Sequence, residues 1–495
     1  MINKNHFDTS HLHADLKKHT VRGGITTLGA QGCSFVLDVA SIAILARLLT
    51  PSDFGLVAMV TALTGLLALF KDAGLSMATV QKDTVTHEQV STLFWVNVAL
   101  SLLLMLIIAA LSPLVAGFYH EPRLQPITLA IACMFIFDGL AVQHQALLRR
   151  QMRFGALAKI QIISMVFALA AAIGAAVTGM GYWALILQIA VNQLVSAVLT
   201  WLYCRWIPSL PRRGTGTRSM LKFGGYLTGF NFVNYFARNA DNMLIGYAWG
   251  SNALGLYAKA YSLLLMPLSQ INGPITATAT PALSRLQDDP EQFRLFFVKT
   301  LRTITFVTFP LIAWMIVCRR EIVLLFLGPQ WEGAVPIFSV LAISAFFQPI
   351  GNITGVLYTS LGRTKRMFKW GLMGCSWLLL SFLVGLPFGA IGVAWAYSIA
   401  MILMMYPLMR YATAGTCIEL QHFLAGIKHS LFATLAMAGL GVPVHYFFLD
   451  KPLWLTFTLT SCLMALSYVC VWHKLNPELL RHARSLVLKR EINLV

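Results

Sequence analysis

The sequence is poor in charge: only 11% of its 495 residues are Asp, Glu, Lys or Arg, whereas a soluble protein carries about 25%. No stretch has the composition of a soluble domain, which excludes a soluble enzyme and a transcription factor. The eight cysteines are scattered, mostly within apolar segments, and form neither a C-x-x-C motif nor a Cys/His cluster. This pattern excludes a disulfide-stapled secreted domain, and we expect no metal site.

Motifs of nucleotide hydrolysis and of common hydrolases are also missing. The chain has no Gly-Lys-Ser/Thr phosphate loop, no zinc-protease histidine pair and no G-x-S-x-G motif. We therefore expect no cofactor and no enzymatic activity, and any transport is expected to use a driving force other than ATP bound to this chain.

Long apolar runs dominate what is present. Hydrophobic residues make up 57% of the chain and the mean hydropathy is +0.70. Apolar segments of about 20 residues, the length that crosses a bilayer, recur along the chain. The sequence predicts an all-α polytopic membrane protein with about fourteen spans, near 23–48, 54–80, 90–117, 124–148, 156–178, 182–204, 221–247, 254–282, 300–318, 335–361, 367–387, 390–411, 425–448 and 453–473.

The positive charges are distributed unevenly between the two sides of the predicted membrane. An even number of spans places both termini on one side, and with that side inside, thirty of the 37 Lys and Arg residues are internal and five external. Such a bias indicates cytoplasmic termini. The net charge of +18 is thus explained by topology, and no nucleic acid partner is expected. The polar leader 1–22 lacks a signal-peptide core and is expected to be retained.

The predicted outer loops are short. The longest, about 319–335, has room for little more than a helical turn. A membrane polymerase or ligase is expected to place its catalytic residues on a substantial outer loop, so these lengths disfavour that class. The function is expected to lie within the membrane.

An internal repeat divides the chain. A shift of 200 residues aligns the two halves at seven positions, including Gly55 with Gly255 and Leu63 with Leu263. Six spans per half predict parallel, pseudo-twofold-related lobes with a central cavity between them. The predicted organisation is a leader (1–22), an N-lobe (23–204), a cytoplasmic linker (205–220), a C-lobe (221–411), a helix pair (425–473) and a basic cytoplasmic tail (474–495).

Two polar stripes occupy matching positions in spans one and seven. Their residues are Gln31, Ser34, Asp38 and Ser41 in span one, and Asn231, Asn234, Arg238 and Asp241 in span seven. Both sets step by three, four and three residues, so each is predicted to follow one helix face. Charged side chains at mid-membrane cost about 2.5–3.5 kcal/mol each, so we expect these groups to have partners or to line a wet cavity.

Two interpretations of these charges remain open. In the first, they are structural, and Arg238 pairs with Asp241 or with Asp38. In the second, Arg238 and Lys259 present positive charge to an anionic substrate, while Asp38 and Asp241 serve gating or ion coupling. The two interpretations are compatible in different conformations of one gate.

Further residues are weaker candidates. Asp138 and His144 are either a proton relay or satisfied polar contacts, and Lys71, in a predicted turn at the inner end of span two, suits a gate. Tyr235 and Tyr261 lie deep enough to stack on sugar rings. The prolines of span eight indicate either a bending helix or static packing; they are Pro267, Pro274 and Pro281.

Three stretches resemble a known family: LARLLTPSDFGLVAM (45–59), GLYAKAYSLLLMPLSQINGPITATATPALSRLQDD (255–289) and FLGPQWEGAVPIFSVLA (326–342). With the six-plus-six repeat, they resemble the bacterial polysaccharide transporters, the Wzx-type flippases and especially colanic acid exporters. These belong to the multidrug/oligosaccharidyl-lipid/polysaccharide exporter superfamily. The resemblance extends over most of the chain.

The resemblance implies a substrate and a mechanism. The substrate would be an oligosaccharide on undecaprenyl pyrophosphate, moved from the inner to the outer leaflet of the bacterial plasma (inner) membrane by alternating access. Spans one, two, seven and eight would line the cavity, and a proton or sodium gradient would be coupled. Membrane lipids and polysaccharide polymerase machinery are the implied partners.

Other functions stay open at this point. A related exporter of another substrate, either a peptidoglycan-precursor flippase or a multidrug antiporter, is the main alternative. The deep cations Arg238 and Lys259 would repel cationic drugs, which disfavours an antiporter of such drugs. A membrane polymerase or ligase is the third possible function.

Overall fold

The computed structural model describes residues 7, 16–72, 74–82, 84–211 and 218–475. For 16–23, 25, 218–234, 237 and 475 it describes the backbone alone. The leader except Phe7 and 16–22, part of the predicted linker, and the tail beyond 475 lie outside the described residues.

The described residues form sixteen α-helices. The first eight are α1 (Leu16–Leu48), α2 (Pro51–Ala68), α3 (Leu75–Gln81), α4 (His87–Phe118), α5 (Leu124–Arg150), α6 (Phe154–Val177), α7 (Trp183–Cys204) and α8 (Arg218–Arg285). The rest are α9 (Pro290–Val317), α10 (Arg319–Phe326), α11 (Ala334–Ala345), α12 (Gln348–Ser360), α13 (Thr364–Gly385), α14 (Gly389–Thr413), α15 (Leu420–Phe447) and α16 (Leu453–Leu475).

Fourteen membrane-length helices follow from these bounds in the described part of the chain. The halves of α8 on either side of Gly250 count as two, α11 with α12 counts as one broken helix, and the short α3 and α10 are left out. Eleven helical segments of the described residues meet length and apolarity criteria for spanning a membrane, one of them comprising both α13 and α14. The predicted polytopic all-α class with fourteen spans is confirmed.

Local sequence sets several helix starts. Thr50 and Asp53 form a reciprocal capping box at the start of α2, with Pro51 in its first turn, and Thr86 and Gln89 form another before α4. Each box satisfies two backbone donors that no intrahelical carbonyl can reach. Asp289 caps α9 through the backbone amides that follow it. These polar caps fix where apolar helices begin.

Two predicted spans are broken. The single helix predicted over 54–80 is wrong, because α2 ends at Ala68 and a turn precedes α3. Gly74 adopts a left-handed φ of 70°, which glycine tolerates without a Cβ clash, and the predicted turn around Lys71 is observed. The helix predicted over 335–361 is likewise divided, between Ala345 and Gln348.

The outer segment and α8 also differ from expectation. The segment 319–335 holds α10, an eight-residue helix, and a 3-10 turn at Pro329–Trp331, so it is more structured than predicted. In α8 the non-helical residue is Gly250, with φ 76°. The helix continues through all three prolines, so the observed break lies between predicted spans seven and eight.

The chain divides into two compact units, Met1–Gly255 and Leu256–Val495. An apolar cluster in the first unit includes Phe94 and Leu147, and one in the second includes Phe297 and Phe423. The lobe boundary at 205–220 stays a prediction.

Two helices, α2 and α8, cross within the first unit at two glycines that the 200-residue shift aligns. A Cβ on Gly55 would lie 1.7 Å from the Ser251 carbonyl oxygen, and one on Gly255 would lie 1.8 Å from that of Pro51. Pro51 and Ser251 are themselves related by the 200-residue shift, so the two contacts are reciprocal. Reciprocal contacts are what a twofold relation produces. The Oγ atoms of Ser52 and Ser251 add a 2.8 Å hydrogen bond.

Candidate functional site

The polar stripe of α1 separates into two serines that bond to neighbouring helices and two exposed side chains. Ser34 Oγ accepts a hydrogen bond from Gln161 Nε2 on α6 at 3.0 Å, and Ser41 Oγ accepts one from Gln188 on α7 at 2.8 Å. Gln31 and Asp38 are exposed. The serines therefore hold α1 against its neighbours, and the other two side chains remain available to a ligand or to water.

The charged residues of the α8 stripe lie in different environments. The Arg238 side chain is exposed, whereas Asp241 is buried and accepts a 2.8 Å hydrogen bond from the Asn242 amide. Among the described side chains, Arg238 forms no ion pair with Asp241 or with Asp38. The side chains of Asn231 and Asn234 lie outside the described residues.

Tyr235 contributes to helix packing. Its hydroxyl donates to the Thr61 and Ala62 carbonyl oxygens at 3.0 and 3.2 Å. The ring rests on Gly65, where a Cβ would lie 2.1 Å from the hydroxyl oxygen. This contact fixes α8 to α2 and occupies the polar end of the ring.

Two predicted binding residues belong to the second unit. Lys259 is half-buried. The Tyr261 hydroxyl lies 3.3 Å from that of Tyr397 on α14, and its ring stacks on Tyr257 at 6.3 Å. Tyr261 is thus part of an aromatic group that joins α8 to α14.

Lys71 and Asp138 form an ion pair in the first unit. Lys71 Nζ lies 2.7 Å from Asp138 Oδ2, and the two side chains are 33% and 24% exposed. Gln193 of α7 donates to the same carboxylate oxygen at 3.3 Å. The pair links the turn after α2 to α5 and α7, which suits the predicted gating role, although that role stays a prediction.

A buried polar chain continues from this pair. Asn97 donates to the Lys71 carbonyl oxygen at 3.2 Å and accepts from Gln143 at 3.0 Å. Gln143 accepts from the Thr79 hydroxyl at 3.0 Å, and Arg150 donates to the Thr79 carbonyl oxygen at 3.1 Å. Asn97, Gln143 and Thr79 are fully buried. We name this chain, with Lys71 and Asp138, the inner polar network.

His144 borders the inner polar network without joining it. Its Nε2 lies 3.0 Å from the Trp206 carbonyl oxygen, and its ring stacks on Trp201 at 4.2 Å. Both contacts fix a fully buried imidazole. The geometry favours the polar-contact interpretation over a relay between His144 and Asp138.

Sequence reasoning missed most of the inner polar network. Asn97 and Gln143 are single amides in apolar helices, and their only signal is that an amide in a membrane-length segment needs a partner. In the described part of the chain, no group of three or more His, Cys, Asp or Glu side chains is placed to hold a metal ion.

Similar proteins come from several bacteria. The chain is 27% identical to the teichuronic acid biosynthesis protein TuaB of Bacillus subtilis (strain 168) over 387 residues, which is 78% of this chain and 80% of that protein. It is 25% identical over 395 residues to the lipopolysaccharide biosynthesis protein WzxC of Escherichia coli (strain K12), with the same coverage of both chains.

A solved structure shares the fold. The lipid II flippase MurJ, in an inward closed conformation, matches with a TM-score of 0.74 at 15% identity, covering 93% of this chain and all of that one. The match to WzxC confirms the resemblance to the Wzx-type proteins. The model of a family described as polysaccharide biosynthesis protein matches residues 44–336. This match covers more than half of the sequence, and the chain therefore belongs to the polysaccharide biosynthesis protein family.

Proposed function

We propose that the protein is a flippase for lipid-linked oligosaccharides. It moves repeat units on undecaprenyl pyrophosphate from the inner to the outer leaflet of the bacterial plasma membrane, for export of a surface polysaccharide. Transport proceeds by alternating access and is coupled to an ion gradient. Both termini are cytoplasmic, in accord with the excess of cations in the predicted inner loops.

Family membership supports the substrate class. The two relatives are named for the biosynthesis of teichuronic acid and of lipopolysaccharide, and the match to the lipid II flippase supplies a fold suited to this task. Within such a fold the apolar polyprenyl tail can remain in lipid while the polar headgroup crosses.

The exposed Arg238 guanidinium is the observation that carries the proposal. It lies in a predicted span, and a cation there costs about 2.5–3.5 kcal/mol unless water or an anion meets it. A guanidinium matches the oxygens of a phosphate with two parallel hydrogen bonds. The exposed Gln31 and Asp38 offer further hydrogen-bonding groups, suited to sugar hydroxyls. Arg238 is therefore proposed to bind the pyrophosphate.

Complementation tests this assignment. A strain that lacks the gene receives wild type, Arg238→Ala, Arg238→Lys or the control Arg123→Ala, whose side chain pairs at the surface with Glu121. Loss of a charge-assisted contact of about 1.5–3 kcal/mol predicts that Arg238→Ala lowers surface polysaccharide about tenfold or more. Lipid-linked intermediate should accumulate at normal protein abundance, and Arg238→Lys should retain part of the activity.

Two outcomes would contradict the proposal. Full activity of Arg238→Ala would place the anion-binding group elsewhere. Failure of wild type to restore the polymer, with a lipid-linked peptidoglycan precursor accumulating in the deletion strain, would replace the proposed substrate with that precursor.

A further inference from the structure

A buried acid–base pair lies in the second unit, outside the predicted site. Glu321 of α10 and His445 of α15 approach to 3.8 Å between Oε1 and Nε2, and their side chains are 2% and 9% exposed. Glu321 follows Arg319 and Arg320 in the predicted outer segment, and His445 lies in the last turn of α15. The pair is therefore at the predicted outer end of both helices.

Each member of the pair has an unused polar atom. Glu321 Oε2 and His445 Nδ1 are buried and have no hydrogen-bond partner among the described residues. Burial of a charge without full compensation costs several kcal/mol. An arrangement of this kind is stable when the pair as a whole is neutral.

Neighbouring groups do not neutralise Glu321. Arg319 donates to the Ile316 carbonyl oxygen at 3.1 Å, and Arg320 bonds Glu332 at 3.4 Å.

The helices around the pair add no nearby charge of their own. The helix α11, which packs against α10, contains no Asp, Glu, His, Lys or Arg. In α16, which packs against both α10 and α15, the charged or imidazole side chains His473 and Lys474 are in its last turn. The charges of α9 end at Arg302, and those of α15 before His445 end at His429. Asp450 and Lys451 follow in the exposed turn after α15.

The charge of the pair depends on one proton. With an ionised glutamate and a neutral imidazole the buried charge is −1. One added proton makes the pair neutral, and a second would make it +1. Burial penalises both charged states, so the singly protonated pair is favoured.

We propose that Glu321 and His445 together form a binding site for a single proton at the outer end of the second unit. The bound proton neutralises the pair and holds α10 against α15, and its release leaves a buried negative charge that weakens this contact. The further claim that this site accepts the coupling proton during transport rests on the proposed function, whereas the claim that it binds a proton does not.

Counting protons tests the site directly. Full-length purified protein is shifted from about pH 8 to about pH 5, a range above the ordinary titration of exposed carboxylates, and the protons taken up are measured. Glu321→Gln should take up about one proton fewer than wild type. The control Glu332→Gln, an exposed glutamate of the same segment with 66% side-chain exposure, should match wild type.

His445→Asn provides a second variant if Glu321→Gln fails to fold. Its remaining glutamate should take up the proton between about pH 8 and about pH 5, giving an infrared band of a protonated carboxyl group that is absent at about pH 8 and present at about pH 5. Equal proton uptake by wild type and Glu321→Gln, or absence of the band in His445→Asn, would overturn the site.

Export measurements separate the site from its role. In complemented cells, Glu321→Gln should lower surface polysaccharide severalfold and abolish its dependence on external pH, while Glu332→Gln should do neither. Unchanged export in a Glu321→Gln protein that has lost the proton would overturn the coupling role. If wild type itself restores no polymer, the proposed function fails, and the proton count still decides the site.

Discussion

At the scale of single residues, the inner polar network shows how buried polar groups can hold apolar helices together. Lipid offers no hydrogen bonds, so each amide or charge within the membrane needs a protein partner or water. Asn97 and Gln143 satisfy one another, and Lys71 satisfies both Asp138 and Asn97. Loss of one member is expected to leave its partner without compensation.

The Lys71–Asp138 pair gives a direct test. Lys71→Met and Asp138→Asn are each expected to destabilise the protein by about 1–2 kcal/mol, since the remaining charge is partly buried, with the exposure of both side chains reducing the effect. The double variant should lose less than the sum. Thermal unfolding of purified protein measures all three, and strictly additive losses would show that the pair does not interact.

A surface pair provides the contrast and a pH dependence. Arg123, through its hydrogen bond and charge, lowers the pKa of the Glu121 carboxyl. A carboxyl group whose pKa is lower in the folded than in the unfolded state stabilises the folded protein at pH values above the unfolded-state pKa. This stabilisation disappears as the pH falls through the folded-state pKa. Arg123→Ala should cost at most about 0.5 kcal/mol near pH 7 and nothing once Glu121 is protonated.

The measurement is thermal unfolding of wild type and Arg123→Ala, from about pH 7 down to the pH at which Glu121 is protonated. A difference that grows toward acid pH would contradict the assigned sign.

The sequence identified Lys71 and Asp138 as candidates because charges in apolar spans are conspicuous. It did not pair them, since they are 67 residues apart and no local spacing connects them. It also placed Ser34 and Asp38 on one stripe, whereas in the structure Ser34 is buried and Asp38 is exposed, so the boundary between packed and exposed surface runs between them. That boundary depends on which helices surround α1.

At the scale of helices, the crossing of α2 with the middle of α8 depends on glycine. Gly55 and Gly255 bring each helix against a carbonyl group of the other, closer than any side chain allows. Such approaches between small residues stabilise membrane helices through packing and weak polar contacts. The shift of 200 residues aligned these two glycines, and the crossing explains why both positions lack a side chain.

Alanine substitution tests the crossing. Gly55→Ala and Gly255→Ala each place a Cβ inside the contact distance of a backbone carbonyl, so a loss of about 3 kcal/mol or more is expected. Gly29→Ala in α1 is the matched control, because no atom lies within 4 Å of its new Cβ, and it should be neutral or stabilising. Thermal unfolding and membrane abundance are measured; normal stability of both crossing variants would contradict the geometry.

Helix existence was predictable and helix interruption was not. Apolar length alone identified the spans, since the bilayer requires about 20 residues. The division between α11 and α12 falls at two phenylalanines just before Gln348 and Pro349, and the end of α2 precedes its polar turn by two residues. Hydropathy does not register where backbone hydrogen bonding stops. The capping residues Thr50 and Thr86 set the starts of α2 and α4 three residues before the predicted starts at 54 and 90.

At the scale of the whole molecule, the charge distribution predicts orientation. The excess of Lys and Arg in alternate loops predicts that both termini are cytoplasmic. A fluorescent protein fused after Val495 should therefore fold and fluoresce, whereas alkaline phosphatase fused there should be inactive. Alkaline phosphatase inserted after Gly181, in the predicted outer turn between α6 and α7, should be active. The opposite pattern at both positions would invert the topology.

Direct observation of lipid flipping tests the central claim. The lipid-linked oligosaccharide that accumulates in the deletion strain is reconstituted into sealed vesicles with or without the purified protein, and an added glycosidase digests the saccharide that reaches the outer leaflet. With an imposed ion gradient, wild type should expose nearly the whole pool, while protein-free vesicles and Arg238→Ala should leave the inner-leaflet fraction protected. Equal protection with and without wild-type protein would contradict the assignment of this chain as a flippase.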